Sequence, residues 1–93
     1  MRHGVRFTAE RDKARNNLRK HGVSLGQAAE TFFDPFLKII DASRQDETRD
    51  AIIGYDETGC LLFVVHLLLE DDCIRLISAR RATREERRLY ENE

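Results

Sequence analysis

The chain has 93 residues, 41% apolar and 35% charged, with a formal net charge of -1. That is enough for one domain with a modest core and too little for a second lobe. A net charge this close to zero excludes a uniformly basic nucleic-acid binder. The longest apolar run, Cys60 to Leu69 interrupted by His66, is far below the roughly 20 residues of a membrane helix.

Val5-Arg6-Phe7 reads as a short first strand. Thr8 is placed to cap a helix over Ala9–His21, which Gly22 ends as a natural C′ residue. Ala14, Leu18 and His21 share its expected inward face, while Arg11, Arg15 and Arg19 form a separate stripe. Ser24-Leu25-Gly26-Gln27 fits a capping box and opens a second helix running to about Phe33. Its buried residues are expected to be Leu25, Ala28, Ala29 and Phe32, with Phe33 at the margin. Asp34-Pro35 stops it, because proline disfavours helix in the residue before it.

Phe36–Ile40 reads as a strand and the polar segment Asp41–Asp50 as a loop. Asp50–Tyr55 is a strand, and Asp56-Glu57-Thr58-Gly59 a turn. Cys60–Leu69 is apolar at almost every position, which predicts a central strand covered on both faces for part of its length. Glu70-Asp71-Asp72 turns the chain into a last strand, Cys73–Arg80. Thr83-Arg84-Glu85-Glu86 is another capping box and opens the final helix. The expected class is α+β, in the order β-α-α-β-β-β-α. The sheet is antiparallel, the two helices Ala9–His21 and Leu25–Phe33 lie on one face, and the other face is free to bind. The two cysteines fall at opposite ends of the last hairpin, too far apart for a disulfide, and read as reduced thiols. With no apolar leader at the N-terminus, a cytoplasmic location is expected.

Charge is unevenly distributed. Residues 1–25 carry seven Lys/Arg against two Asp/Glu, residues 26–72 three against eleven, and residues 73–93 six against four. Basic ends make a basic patch if they meet in space. His3, His21 and His66 are scattered, and there is no Cys-x-x-Cys or His-Glu-x-x-His spacing, so no metal site is expected. Nor is there a glycine-rich phosphate loop or a nucleophile elbow. What remains is a set of cations, histidines and carboxylates. Such a set can cut RNA without a metal, by moving protons and stabilising charge on phosphate.

His66, the polar residue of an otherwise apolar strand, is a proton-transfer candidate or a core histidine. His21 is a second candidate or a helix cap, with Lys20 on the same turn. Glu47 and Arg49 are a base and a phosphate clamp or a plain surface pair. Arg80 and Arg81, at a strand end, present guanidinium forks that match phosphate. A turn centred on Asp71 puts His66 opposite Leu76, on one face with Ser78 and Arg80, and a tighter turn puts it with Arg75, Ala79 and Arg81; the first is the expected register.

The segments Lys13-Ala14-Arg15-Asn16-Asn17-Leu18-Arg19-Lys20-His21-Gly22-Val23-Ser24, Ala28-Ala29-Glu30-Thr31-Phe32-Phe33-Asp34-Pro35, Glu47-Thr48-Arg49 with Ile53-Gly54, and Leu61 to His66 resemble the BrnT family. So does the run from Ile74 to Thr83 with Glu86, Arg87 and Tyr90. That family comprises toxins of bacterial type II toxin–antitoxin pairs. Where its members usually keep a polar stretch after the histidine strand, this chain has Leu67-Leu68-Leu69-Glu70. The resemblance implies a RelE-like fold and a metal-independent endoribonuclease with no cofactor, leaving a 2′,3′-cyclic phosphate. It points to Lys20, His21, Glu47, Arg49, His66, Arg80 and Arg81, of which the first six are expected to be catalytic; Arg81, with Lys13 and Arg75, is expected to hold RNA. It also implies a BrnA-like ribbon-helix-helix antitoxin in a 2:2 complex, which alone would touch operator DNA. The alternative is a non-catalytic partner that docks the antitoxin and assists operon autorepression.

Overall fold

A computed structural model of the chain describes residues 5–41 and 49–92. The elements are β1 (Arg6–Thr8), α1 (Arg11–His21), α2 (Leu25–Glu30) with a 3-10 turn at Thr31–Phe33, β2 (Lys38–Asp41), β3 (Asp50–Tyr55), β4 (Leu61–Leu69), β5 (Cys73–Arg81) and α3 (Arg84–Glu91). The expected order is one strand short, because each of the four segments after α2 forms a strand of its own. The loop between β2 and β3 lies largely outside the described residues.

The five strands run in the order β1-β5-β4-β3-β2. The β2–β3, β3–β4 and β4–β5 pairs are antiparallel, as short turns require. β1 lies parallel to β5, so the sheet is mixed rather than antiparallel. Two helices separate β1 from the meander, and no tight turn fixes its direction.

Both expected capping boxes form, Ser24 with Gln27 and Thr83 with Glu86. Gly22 ends α1 in the left-handed conformation, φ 68°, and returns its N–H to the Leu18 carbonyl. Thr8 does not cap α1. It belongs to β1, and extended Glu10 precedes the helix without a side-chain cap. The inward face also differs from expectation. Asn17 is the buried residue of α1, while Leu18 is 53% exposed and His21 is exposed. The edge of β5 at Ala79 needs a hydrogen-bonding group, and that requirement turns the helix.

One face of the sheet carries the main core. Ile52, Val64 and Ala79 face each other across β3, β4 and β5, and Val23, Leu25 and Ala28 pack on them. The second face is not free of helix. Ala51 and Ile53 are fully buried there and need a cover, which α3 supplies. Tyr55 meets the Tyr90 ring edge-on at 5.3 Å, and Lys38 Nζ donates to the Asn92 carbonyl at 2.8 Å. α1 and α2 share one face as expected, but the other face is covered by α3 rather than free, because β3 and β4 are apolar on both sides.

Gly54 is fixed by a close approach rather than by a turn. A Cβ there would lie 3.0 Å from the Thr31 carbonyl oxygen and 3.3 Å from its Cβ. Gly54→Ala is expected to cost about 1–3 kcal/mol, seen as a fall of about 4–8 °C in melting temperature per kcal/mol.

The β4–β5 ladder contains a bulge. Val65 faces Ser78 but His66 faces Leu76, which leaves Ile77 as the extra residue. The expected His66–Leu76 pairing is present, and so is the turn centred on Asp71, where Leu69 faces Cys73. The expected face is not. Phe63 and Val65 oppose Arg80 and Ser78, whereas His66 lies with Leu62 and Val64 on the other side. One inserted residue reverses the alternation, so Arg80 and His66 are on opposite faces. Both cysteines are free thiols.

Candidate active site

Lys13, Asn17, Lys20 and His21 recur at the spacing of one helix face. With Asn16 they form one wall of a cleft of about 290 Å³, whose other lining residues are Arg49, Ile77 and Ser78. Four residues expected from sequence thus come together: Lys13, Lys20, His21 and Arg49. Their three cations face a lining that holds no carboxylate among the described residues. Two adjacent strand residues normally point to opposite faces, yet Ile77 and Ser78 both line the cleft. The bulge between them and β4 accounts for it.

Asn17 joins the two walls. Its Oδ1 accepts the Ala79 N–H at 3.0 Å, and its Nδ2 donates to the carbonyls of Ala79 at 2.8 Å and Val23 at 2.9 Å. Sequence reasoning missed Asn16, Asn17, Ile77 and Ser78 as lining residues. One clue was available. Asn17 is a weak helix former in a helix interior, where it earns its place only through a specific hydrogen bond.

The remaining candidates are elsewhere. His66 is 4% exposed and meets the ring of Phe32, in the 3-10 turn after α2, edge-on at 4.9 Å. Burial pushes its imidazole below the usual range, and the Asp50 carboxylate and Val64 backbone only partly offset this. An imidazole that resists protonation when folded makes the unfolded state bind more protons. His66 therefore contributes full stability above its unfolded pKa, about 6.5, and loses it as pH falls below that. His66→Leu is expected to flatten the stability profile between pH 8 and pH 5, as read from urea melts, and to leave cleavage intact.

Arg80 makes a two-pronged pair with Glu86, both contacts 2.8 Å, and its guanidinium lies 4.5 Å over the Phe63 ring. Arg81 is exposed and lines a separate crevice with Cys60 and Arg87. Arg75 is half-buried opposite Leu67 and does not line the cleft. Glu47 lies outside the described residues. Among the described residues, no three His, Cys, Asp or Glu side chains cluster as metal ligands, and no helix is long and apolar enough to cross a membrane.

Residues 9–86 match a family model described as the ribonuclease toxin, BrnT, of type II toxin–antitoxin systems. No curated protein matches the sequence. The crystal structure of the Brucella abortus ribonuclease toxin, BrnT, is similar over 87% of this chain and 100% of its own, with a TM-score of 0.68 and 18% identity. At that identity the likeness establishes the fold. The matched residues take in α1, Arg49 and all of β5, the elements that build the cleft. On this match the chain belongs to the BrnT family of ribonuclease toxins of type II toxin–antitoxin systems.

Proposed function

We propose that this chain is a metal-independent endoribonuclease that cuts RNA in the cleft between α1 and the bulged β5. The observation that carries the reading is the convergence of Lys13, Lys20, His21 and Arg49 on one cleft. A general base takes the proton of a ribose 2′-OH. That oxygen attacks the adjacent phosphorus, and the bond to the 5′-oxygen breaks. An acid protonates the leaving oxygen. The products are a 2′,3′-cyclic phosphate and a 5′-hydroxyl. Lys13, Lys20 and Arg49 face the charge that grows on the phosphoryl oxygens. An imidazole has one nitrogen that donates a proton and one that accepts it, which suits His21 to one of the two transfers. Carboxylates, the usual ligands of hard catalytic cations, are not among the described lining groups, and cations stand in their place.

Membership of a type II toxin family implies an antitoxin. We take it to be a BrnA-like ribbon-helix-helix protein in a 2:2 complex, acting in the cytoplasm where the RNA is. Phe36 and Ile39, 74% and 75% exposed, are candidates for the surface it covers. Light scattering of the co-purified pair is expected to give the mass of two chains of each; a strict one-to-one mass would count against it.

The test is induced expression with and without the antitoxin, together with cleavage of a 5′-labelled RNA by purified protein in EDTA. Growth arrest, RNA loss and cyclic-phosphate ends in EDTA support the proposal. Intact RNA beside a stable antitoxin complex would replace it with the non-catalytic reading. Activity that vanishes in EDTA would overturn the metal-free mechanism.

A further inference from the structure

We infer that Asn17 is the positioning residue of the cleft. Its amide stands in for a missing strand at the free edge of β5 and so sets where Lys13, Lys20 and His21 lie relative to Ser78. The inference rests on the cleft being the site of cleavage.

β1 pairs with β5 from Cys73 to Arg75 and no further. Beyond that point the edge still carries backbone groups that need partners. Ala79 is fully buried there, and a buried N–H or C=O left unpaired is costly. Asn17 satisfies both groups of Ala79, as the next residue of an adjoining strand would. Its remaining N–H goes to Val23, which ties the segment after Gly22 to the same point. No other side chain reproduces this. Aspartate cannot donate, leucine does neither, and glutamine moves the amide outward by one methylene.

The position along the helix matters as much as the bonds. Lys13 lies one turn before Asn17, and Lys20 and His21 one turn after. Asn17 is the buried residue of α1, so the rotation of the helix about its axis is held at the centre of the cationic stripe. An apolar side chain could keep α1 on the sheet without choosing that rotation. A satisfied buried amide chooses it. Ala79 directly follows Ser78, so the anchor and the opposite wall are adjacent positions of β5.

The test compares Asn17→Leu and Asn17→Ser with Gly54→Ala, a destabilising change near the other end of β3. Melting temperature, kcat and KM are measured on a 5′-labelled RNA in EDTA, at a temperature where circular dichroism shows each variant folded. Misplacing the cations by about an ångström is expected to lower kcat about 10²-fold. KM should move less than about threefold, because attraction of RNA to the cations is long-ranged. Gly54→Ala should lose stability and keep its kcat. If the leucine variant does not fold, the serine variant carries the test, because it is smaller than asparagine and its hydroxyl, set back where the Asn17 Cγ lies, no longer spans to the backbone of Ala79.

Asn17 variants that melt lower yet keep the parent kcat would overturn the positioning role and leave only a structural one. Lys20→Ala and His21→Ala in the same series separate the two levels. Should they lose cleavage while the Asn17 variants retain it, only this inference fails. Should they retain full cleavage, the cleft reading fails and this inference with it.

Discussion

His21→Ala is expected to lower RNA cleavage by about 10²–10⁴-fold, the usual range for a lost general acid or base, with little change in melting temperature. The small stability effect follows from position. His21 is exposed in the last turn of α1, so alanine removes little packing and at most a modest interaction with the helix dipole. The large activity effect follows from its neighbours. It lines the same cleft as Lys13, Lys20 and Arg49, where a phosphate would meet three cations and one imidazole. Lys20→Ala removes a charge rather than a proton carrier, and a loss of about 10²–10³-fold is expected. The double variant should fall short of the product of the two, because groups that serve one transition state are not additive. Gel analysis of a 5′-labelled RNA checks all three. Unchanged cleavage by folded His21→Ala would remove it from the mechanism.

Arg80→Ala is expected to do the reverse, lowering stability while folded protein still cuts RNA. Arg80 is committed before any phosphate arrives. Its two-pronged bond to Glu86 and its seat over Phe63 pin the start of α3 to the second face of the sheet. The hydrogen bonds that it donates to Glu86 raise the guanidinium pKa further. Burial alone would raise the Glu86 carboxyl, but Arg80 and the Thr83 backbone hold it below the usual carboxylate range. A depressed carboxyl contributes stability above its unfolded pKa, about 4.3, and loses it as pH falls through the folded value. A bidentate pair plus a cation–π contact is worth about 1–2 kcal/mol, so a melting temperature lower by about 5–15 °C is expected. Glu86→Gln should share much of that loss. Abolished cleavage in a fully folded Arg80→Ala would return Arg80 to the site.

These two residues show where sequence was legible and where it was not. Turn and cap chemistry is local, so Ser24, Gly22, Thr83 and the Asp71 turn could be read from neighbours a few positions away. The apolar run of β4 announced a central strand for a similar reason. The His66–Leu76 pairing was correct, yet the face deduced from it for Arg80 was not. A bulge at Ile77 leaves no mark in hydrophobicity, and strict alternation carries the reader to the wrong side. The inward face of α1 failed differently. Apolar spacing favoured Ala14, which does pack against the core, and Leu18, which does not, while the sheet edge required an amide. That need belongs to Ala79, 62 positions away, and no window of local sequence contains it. Lys13, Lys20, His21 and Arg49 line one cleft, and they could be named beforehand because cations and a histidine can be chosen by chemistry without knowing which way they point.

The parallel pairing of Arg6–Thr8 with Cys73–Arg75 and the Asn17–Ala79 link also dictate an order of assembly. The helices, the turns and the antiparallel hairpins close over short stretches of chain and can form early. The first strand and the amide clamp close loops of more than sixty residues, and loop closure must precede the contacts that reward it. During synthesis α1 precedes its anchor by 62 residues and cannot take its place on the sheet until residue 79 has followed. The cleft is therefore assembled only after both of its walls exist.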